Sequence, residues 1–375
     1  MQFRDLKAQY LVLKDKIDAK IRDVLEDGQF IFGPHVQELE AKLANYVGVK
    51  HCISCANGTD ALLLVLMAWG IGPGDAVFTS DFTFVASASV ASVRGATPVL
   101  VDIDPRTFNI CPIALEEAIQ KTLQEGQLTP RLIIPVDLFG LPADYPRIQE
   151  LAQKYNLLVL EDGAQGFGGS IKQRKACSFG DAATTSFFPA KPLGCYGDGG
   201  AIFTNDDDLA ATLRSLRAQG RSSEDKYDNR LIGVNSRLDT LQAAILLVKL
   251  EAFTEYELET VNWIAGVYND KLRDIVEVPI VPEGFYSSWA QYTITLDSGA
   301  RRDALQRSLA DRGIPSMVYY PRPLHTQTAF ASMTVDSSFF PNSRKTAETV
   351  LSLPMHPYLS EEDIERITRA VRESL

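Results

Sequence analysis

The chain has 375 residues, 45% of them hydrophobic and 23% charged, with a formal net charge of -11 at pH 7. That length supports one large domain and a smaller one, and the charged fraction is ordinary for a globular protein. The acidic balance argues against a nonspecific nucleic-acid binder, which presents a basic face, although an anionic small molecule can still find a local basic pocket.

The opening stretch, "MQFRDLKAQYLVLKDKIDAKIRDVLEDG", is charged throughout and helical in period, unlike a secretory leader. No apolar run approaches the roughly 20 residues needed to cross a bilayer. The five cysteines (Cys52, Cys55, Cys111, Cys177 and Cys195) are odd in number and scattered, as in a cytosolic protein. The expectation is a cytoplasmic protein with no membrane contact. Cys52 and Cys55 form one C-x-x-C, but on a strand they point to opposite faces, and no second pair completes a zinc site. They read as ordinary buried cysteines, with no metal.

Helices are predicted over 4–27 and over 34–48, the second with Pro34 near its start. Short apolar runs then alternate with helical patterns. Strands are predicted at 52–56, 75–80, 97–103, 131–138, 157–162, 182–188 and 200–205, and helices at 59–69, 83–93, 112–124, 144–155 and 206–219. This rhythm predicts an α/β fold with a mostly parallel, buried sheet. It fades after a helix at 237–253. The remainder (a helix at 254–273, a strand at 291–296, a helix at 302–313, a Pro-rich segment at 315–325 and a last helix at 360–374) reads as a small α+β domain, 254–375, following a large domain, 1–253.

Ligands of open α/β sheets sit beyond the carboxyl ends of the strands, and four features cluster there. "NGTDALLL" places Gly58, Thr59 and Asp60 at a helix start directly after a strand, where free amides and the helix dipole attract an anion such as phosphate. "LLVLEDGAQGFGG" ends a very apolar strand on Asp162, a costly carboxylate unless it meets donors or a cation. "SFFPAKPLGCYGDGG" sets Lys191 between two prolines, five residues beyond Ser186. A desolvated lysine loses its proton readily and suits Schiff-base chemistry. "DFTFVAS" offers Phe82 and Phe84 as aromatic faces. Each alone has a bland reading: an N-cap, a structural carboxylate, a loop lysine with a packed stem, core aromatics. Together they describe a pyridoxal phosphate site, with the lysine bound to the cofactor and the aspartate keeping its ring nitrogen protonated so that the ring acts as an electron sink. The P-loop and dinucleotide fingerprints are missing; "GIGPGD" at 70–75 is neither.

At these residues the sequence resembles the DegT/DnrJ/EryC1/StrS sugar aminotransferases, pyridoxal phosphate enzymes of fold type I. The likeness runs from "FRDLKAQY" to "LPMHPYLSEEDI" and is most specific in "SFFPAKPLGCYGDGGAIFTND" and "GVNSRLDTLQAAIL". It implies that Lys191 is the Schiff-base residue, that Asp162 meets the pyridine nitrogen, that Gln165 neighbours the ring hydroxyl, and that Phe84 stacks on the ring. It implies phosphate contacts from Gly58, Thr59 and Ser186. Asn235 would reach the phosphate of the other subunit, so a homodimer with shared active sites is implied. His325, in "YYPRPLH", falls near the sugar, and Arg237 is a candidate substrate contact. Gly163 and Ala190 depart from the usual pattern without touching a catalytic group.

The implied reaction moves an amino group from L-glutamate to a keto-sugar nucleotide, at C3 of a UDP-linked 3-oxo-N-acetyl-glucuronic acid, in the making of surface-polysaccharide amino sugars. An aminotransferase acting at C4 or on a dTDP-deoxysugar, a dehydratase, a nucleotide-sugar dehydrogenase and a non-catalytic binding protein of the same fold are the alternatives. Lys191 argues against the dehydratases, some of which carry His there. A substrate this anionic needs local positive charge, and Arg214, Arg217, Arg221, Lys226, Arg230 and Arg237 form a basic stretch. At least one of them is expected at the diphosphate or the uronate, the rest on a solvated face.

Overall fold

The computed structural model describes residues 1–222, 225, 227–333 and 336–375. Helix α1 (Leu6–Asp27) starts where the Asp5 carboxylate accepts the Ala8 amide and ends at Gly28 in the left-handed region. Helix α2 (Pro34–Val47) follows. The strands β1 (His51–Cys55), β2 (Asp75–Ser80), β3 (Thr97–Val101), β4 (Thr129–Ile134) and β5 (Leu158–Asp162) alternate with α3 (Gly58–Ala68), α4 (Ala86–Val93), α5 (Pro112–Glu125) and α6 (Tyr145–Tyr155). Next come the short β6 (Ser170–Ile171) and β7 (Arg174–Lys175), then β8 (Ala182–Ser186), β9 (Gly200–Thr204), α7 (Asp207–Leu216) and α8 (Thr240–Ala252). The strand expected at 131–138 stops at Ile134, since Pro135 has no N–H to continue the ladder.

These strands form a seven-stranded sheet in the order β1-β9-β8-β5-β4-β2-β3. Only β9 runs against the others; it pairs antiparallel with both β8 and β1. Alternate residues serve opposite faces. Val77, Leu132, Ile134 and Ile202 pack with Leu62, Val65, Val90 and Leu213 of α3, α4 and α7. Phe78, Ile133 and Val159 pack with Ile119 of α5 and Ile148 of α6, and Phe203 packs with Leu39 and Leu246 of α2 and α8. Both faces are covered, which is why these strands read as continuous apolar runs. Cys55 and Cys52 fall on opposite faces, in the first and last of these clusters.

After α8 the chain passes through a π turn (Phe253–Glu257) into α9 (Leu258–Leu272), then β10 (Phe285–Tyr286), β11 (Tyr292–Thr295), α10 (Gly299–Asp311), α11 (Pro341–Thr349), β12 (Val350–Leu353) and α12 (Glu361–Ser374). A separate apolar cluster gathers Ile264, Tyr268, Tyr292, Leu305, Leu351 and Ile367 from these elements. Ser360 and Asp363 form a reciprocal capping box at the start of α12. Among the described residues no helix is long and apolar enough to cross a membrane.

Candidate active site

The loops that leave the carboxyl ends of β1, β2, β5 and β8 surround a cavity of about 470 Å³, closed on a further side by Tyr319 and Tyr320. This volume is in the range of small-ligand sites. Its walls carry Gly58, Thr59, Phe84, Asp162, Gln165, Ser186 and Lys191, seven side chains or backbones separated by up to 133 residues of sequence and brought together by sheet topology.

One end is shaped for an anion. The first amides of a helix have no acceptor within it. The Asn57 side chain takes that of Asp60 at 2.8 Å, which leaves those of Gly58 and Thr59 at the helix start to face a guest. Ser186 supplies a hydroxyl beside them, and a Cβ at position 58 would sit 2.7 Å from the Ser186 Cβ. Only glycine lets the helix come this close.

The opposite end is carboxylate and amine. Asp162 is buried; Oδ2 accepts from the Ser87 hydroxyl at 2.7 Å and Oδ1 from the Ala164 amide at 3.2 Å. Burial nevertheless pushes its pKa up, against the pull of Ser87, Ala164 and Lys191. Burial likewise pushes the Lys191 ammonium down, opposed by Asp162 and assisted by the nearby Arg4 guanidinium. A carboxylate kept from water and short of a cation, next to an amine inclined to lose its proton, fits a cationic ring nitrogen at the first and a carbonyl carbon at the second. Gln165 is fixed on both sides, accepting from the Phe139 amide at 2.9 Å and donating to the Tyr320 hydroxyl at 3.2 Å. The Phe84 ring is half exposed to the cavity and lies 6.4 Å from that of Tyr320.

Several contributors had no local signal. Tyr319 and Tyr320 lie in the "YYPRPLH" stretch and reach the cavity only through the fold, Tyr320 by its bond to Gln165. Ser87 is the second residue of the helix that follows Phe84, and Arg4 donates to the backbone oxygens of Lys191 at 2.7 Å and Pro192 at 3.3 Å, tying the N-terminal segment to the lysine loop.

Three of the residues singled out by resemblance do not line this cavity. His325 instead pairs with Asp81, its Nδ1 2.7 Å from Oδ2, and stacks on Phe340. Asn235 is exposed in the strand-like return after α7, bridged to Ala218, and Arg237 is half-buried two residues on. In the basic stretch, Arg217 is structural: its Nη1 lies 2.5 Å from the Glu40 carboxylate and 2.6 Å from the Ser54 carbonyl. Arg214, Arg221 and Arg230 line a wider groove of about 800 Å³ with Phe32 and Leu231. Lys226 lies outside the described residues.

A mostly parallel sheet with an anion cradle, a buried carboxylate and a desolvated lysine at its carboxyl edge is suited to amino-group transfer. The chain belongs to the DegT/DnrJ/EryC1/StrS aminotransferase family, whose model matches residues 12–372. It is 49% identical over 374 residues, covering 99% of both chains, to the UDP-2-acetamido-2-deoxy-3-oxo-D-glucuronate aminotransferase of Pseudomonas aeruginosa. Its structure superposes on that of a DegT DnrJ EryC1 StrS aminotransferase from Brucella abortus with a TM-score of 0.97, at 50% identity, covering 100% of this chain and 99% of the other. NtdA from Bacillus subtilis, solved with bound cofactor PMP, matches with a TM-score of 0.90 at 28% identity, over 100% of this chain and 85% of that one.

Proposed function

We propose that this enzyme uses pyridoxal phosphate to move an amino group from L-glutamate to C3 of a UDP-linked 3-oxo-N-acetyl-glucuronic acid, working in the cytoplasm as a homodimer with shared sites. The observation that carries the reading is Lys191 beside Asp162, in a cavity whose other end is the helix start at Gly58 and Thr59. The Pseudomonas aeruginosa relative supports the sugar.

When bound, the cofactor supplies an electron-poor ring that takes up negative charge from the carbon under attack. Gly58 and Thr59 amides and the Ser186 hydroxyl hold its phosphate, where the helix dipole favours negative charge. Phe84, on the cavity wall, would pack against the ring. Gln165, already held by Phe139 and Tyr320, orients toward the ring hydroxyl. Asp162 would face the ring nitrogen and favour its protonated form, a pairing that would offset the burial cost of the carboxylate. The Lys191 amine would be the proton carrier, taking the donor's Cα proton as a base and giving it up again as an acid. Burial favours its neutral form, as this role requires. The same cavity then serves the keto-sugar, so ping-pong kinetics follow. Asn235 is assigned to the phosphate of the partner's cofactor, and His325 and Arg237 to the surroundings of the sugar.

The deciding experiment is the visible absorbance of the protein loaded with pyridoxal phosphate, before and after L-glutamate. A yellow band that bleaches with glutamate and returns with the keto-sugar nucleotide supports the reading. A protein that binds no cofactor at all would move the non-catalytic alternative to the front.

A further inference from the structure

Behind the cavity, on the far side of the strand that carries Asp162, lie two more carboxyls. Glu161 is the preceding residue of β5 and so faces the opposite way. Asp137 follows the end of β4, and its amide donates to the Asp162 carbonyl at 3.1 Å. Both are wholly shielded from water. Glu161 accepts the Phe179 amide at 2.7 Å and the Cys177 amide. Asp137 Oδ1 accepts the Ala143 amide at 3.0 Å and the Tyr145 hydroxyl at 2.8 Å. Asp137 Oδ2, although buried, has no partner, yet the two carboxyl groups are within hydrogen-bonding reach of each other.

No cation resolves this contact. The buried ion pairs among the described residues are Arg217–Glu40 and His325–Asp81, elsewhere in the fold. The groups facing the pair are the Tyr145 hydroxyl, the Cys177 thiol and, at longer range, Arg174, whose guanidinium is engaged by Ser178 and stacked on Phe179. Two touching ionised carboxylates in such a place would each pay the desolvation of an unpaired buried charge plus mutual repulsion. A single proton removes the repulsion and one of the two buried charges, and turns the orphaned oxygen into a donor to the carboxylate that remains.

We propose that Asp137 and Glu161 hold one proton between them, and that the resulting bond fixes the 162–166 turn, making the two acids positioning residues for Asp162 and Gln165. The turn rests directly on the pair. A side chain at Gly166 would collide with the Asp137 carboxyl, and one at Gly163 would lie 2.6 Å from the Cys177 sulfur. Losing the proton therefore puts repulsion beneath the backbone that presents both cofactor contacts. Burial acts in the same direction, pushing Asp137 well up and Glu161 to about 7. The assignment of Asp162 and Gln165 as cofactor contacts is taken from the proposed function; the shared proton does not depend on it.

The test compares wild type with Asp137→Asn, which keeps Oδ1 as the acceptor and puts a permanent amide donor at the orphaned oxygen, and, separately, with Glu161→Gln, the harsher change because both Glu161 oxygens already accept a backbone amide. Thermal midpoints of the full chain without cofactor are measured from pH 5 to pH 9, followed by pyridoxal phosphate affinity across the same range. A carboxyl whose folded pKa is raised gives stability that is lost as pH climbs from the ordinary carboxyl range through the raised value. The wild-type midpoint should fall over that interval and the variants' midpoints should fall less. Wild-type cofactor affinity should weaken on the alkaline side, by at most about tenfold per pH unit, relative to both variants. Parallel midpoint curves for wild type and a folded variant would overturn the shared proton. Divergent midpoints with parallel affinity curves would overturn the positioning role. A chain that binds no pyridoxal phosphate would sink the functional reading, while the midpoints would still decide the proton.

Discussion

Replacing Asp162 by Asn tests the centre of the mechanism, because the change keeps shape and most hydrogen bonds while removing one charge. The amide oxygen can still accept from Ser87, which now lies 2.7 Å from the carboxylate. What is lost is the buried anion that the proposed function sets against the ring nitrogen. Removing one partner of a buried charge pair costs about 3–5 kcal/mol. At about 1.4 kcal/mol per tenfold in rate, amino transfer from glutamate should slow by roughly 10² to between 10³ and 10⁴. Rapid mixing of the loaded enzyme with saturating glutamate, followed by visible absorbance, isolates that half-reaction. Without cofactor the same variant should be more stable than wild type at neutral pH. The raised pKa of Asp162 means that wild-type stability declines as pH rises through that value, and Asn has no proton to lose. A half-reaction within tenfold of wild type would refute the role given to this carboxylate.

Lys191→Ala should hold the cofactor without a covalent bond and lose at least about 10²-fold in the glutamate half-reaction, the usual contribution of a positioned base; exogenous amines that restore the rate would confirm the missing proton carrier. Gly58→Ala forces a methyl against Ser186 and should weaken cofactor binding by about tenfold to a hundredfold, from an overpacking cost of about 1–3 kcal/mol, read by equilibrium dialysis. Arg4→Met releases the carbonyls of Lys191 and Pro192 and removes a positive neighbour of the amine. The Lys191 pKa should then rise, and the pH profile of the half-reaction should move to the alkaline side. Arg217→Met leaves Glu40 buried without its cation and should lower stability by about 3–5 kcal/mol in urea unfolding, with the KM for the sugar nucleotide unchanged.

The large sheet was legible because both its faces are covered, so each strand announces itself as an apolar run between turns. Elements that lean on tertiary contact were harder to see. Helix α10 begins at Gly299 rather than 302, because Ser298 caps it by accepting the Arg301 amide. Helix α11 escaped notice, since its polar stretch starts where the Asp102 carboxylate accepts the amides of Asn342 and Ser343. The two-residue strands β6, β7 and β10 carry too few residues to show a period. At the site, Lys191, Asp162 and the Gly58 helix start were readable because each is chemically odd in its local setting. Tyr320 and Ser87 are ordinary where they stand and acquire meaning only from Gln165 and Asp162. The pairing of His325 with Asp81 is of the same kind, linking positions 244 residues apart.

The bond between Gln165 and Tyr320, which spans 155 residues, sets an order on the birth of the enzyme. By the time Lys191 leaves the ribosome, the phosphate cradle, the carboxylate and the amine have all been made, but the tyrosine wall has not. At about 5–20 residues per second, the stretch from Lys191 to Tyr320 takes roughly 6 to 26 s. During that time the nascent site stands open to water on one side. The cavity is complete on that side only once Tyr320 has been made.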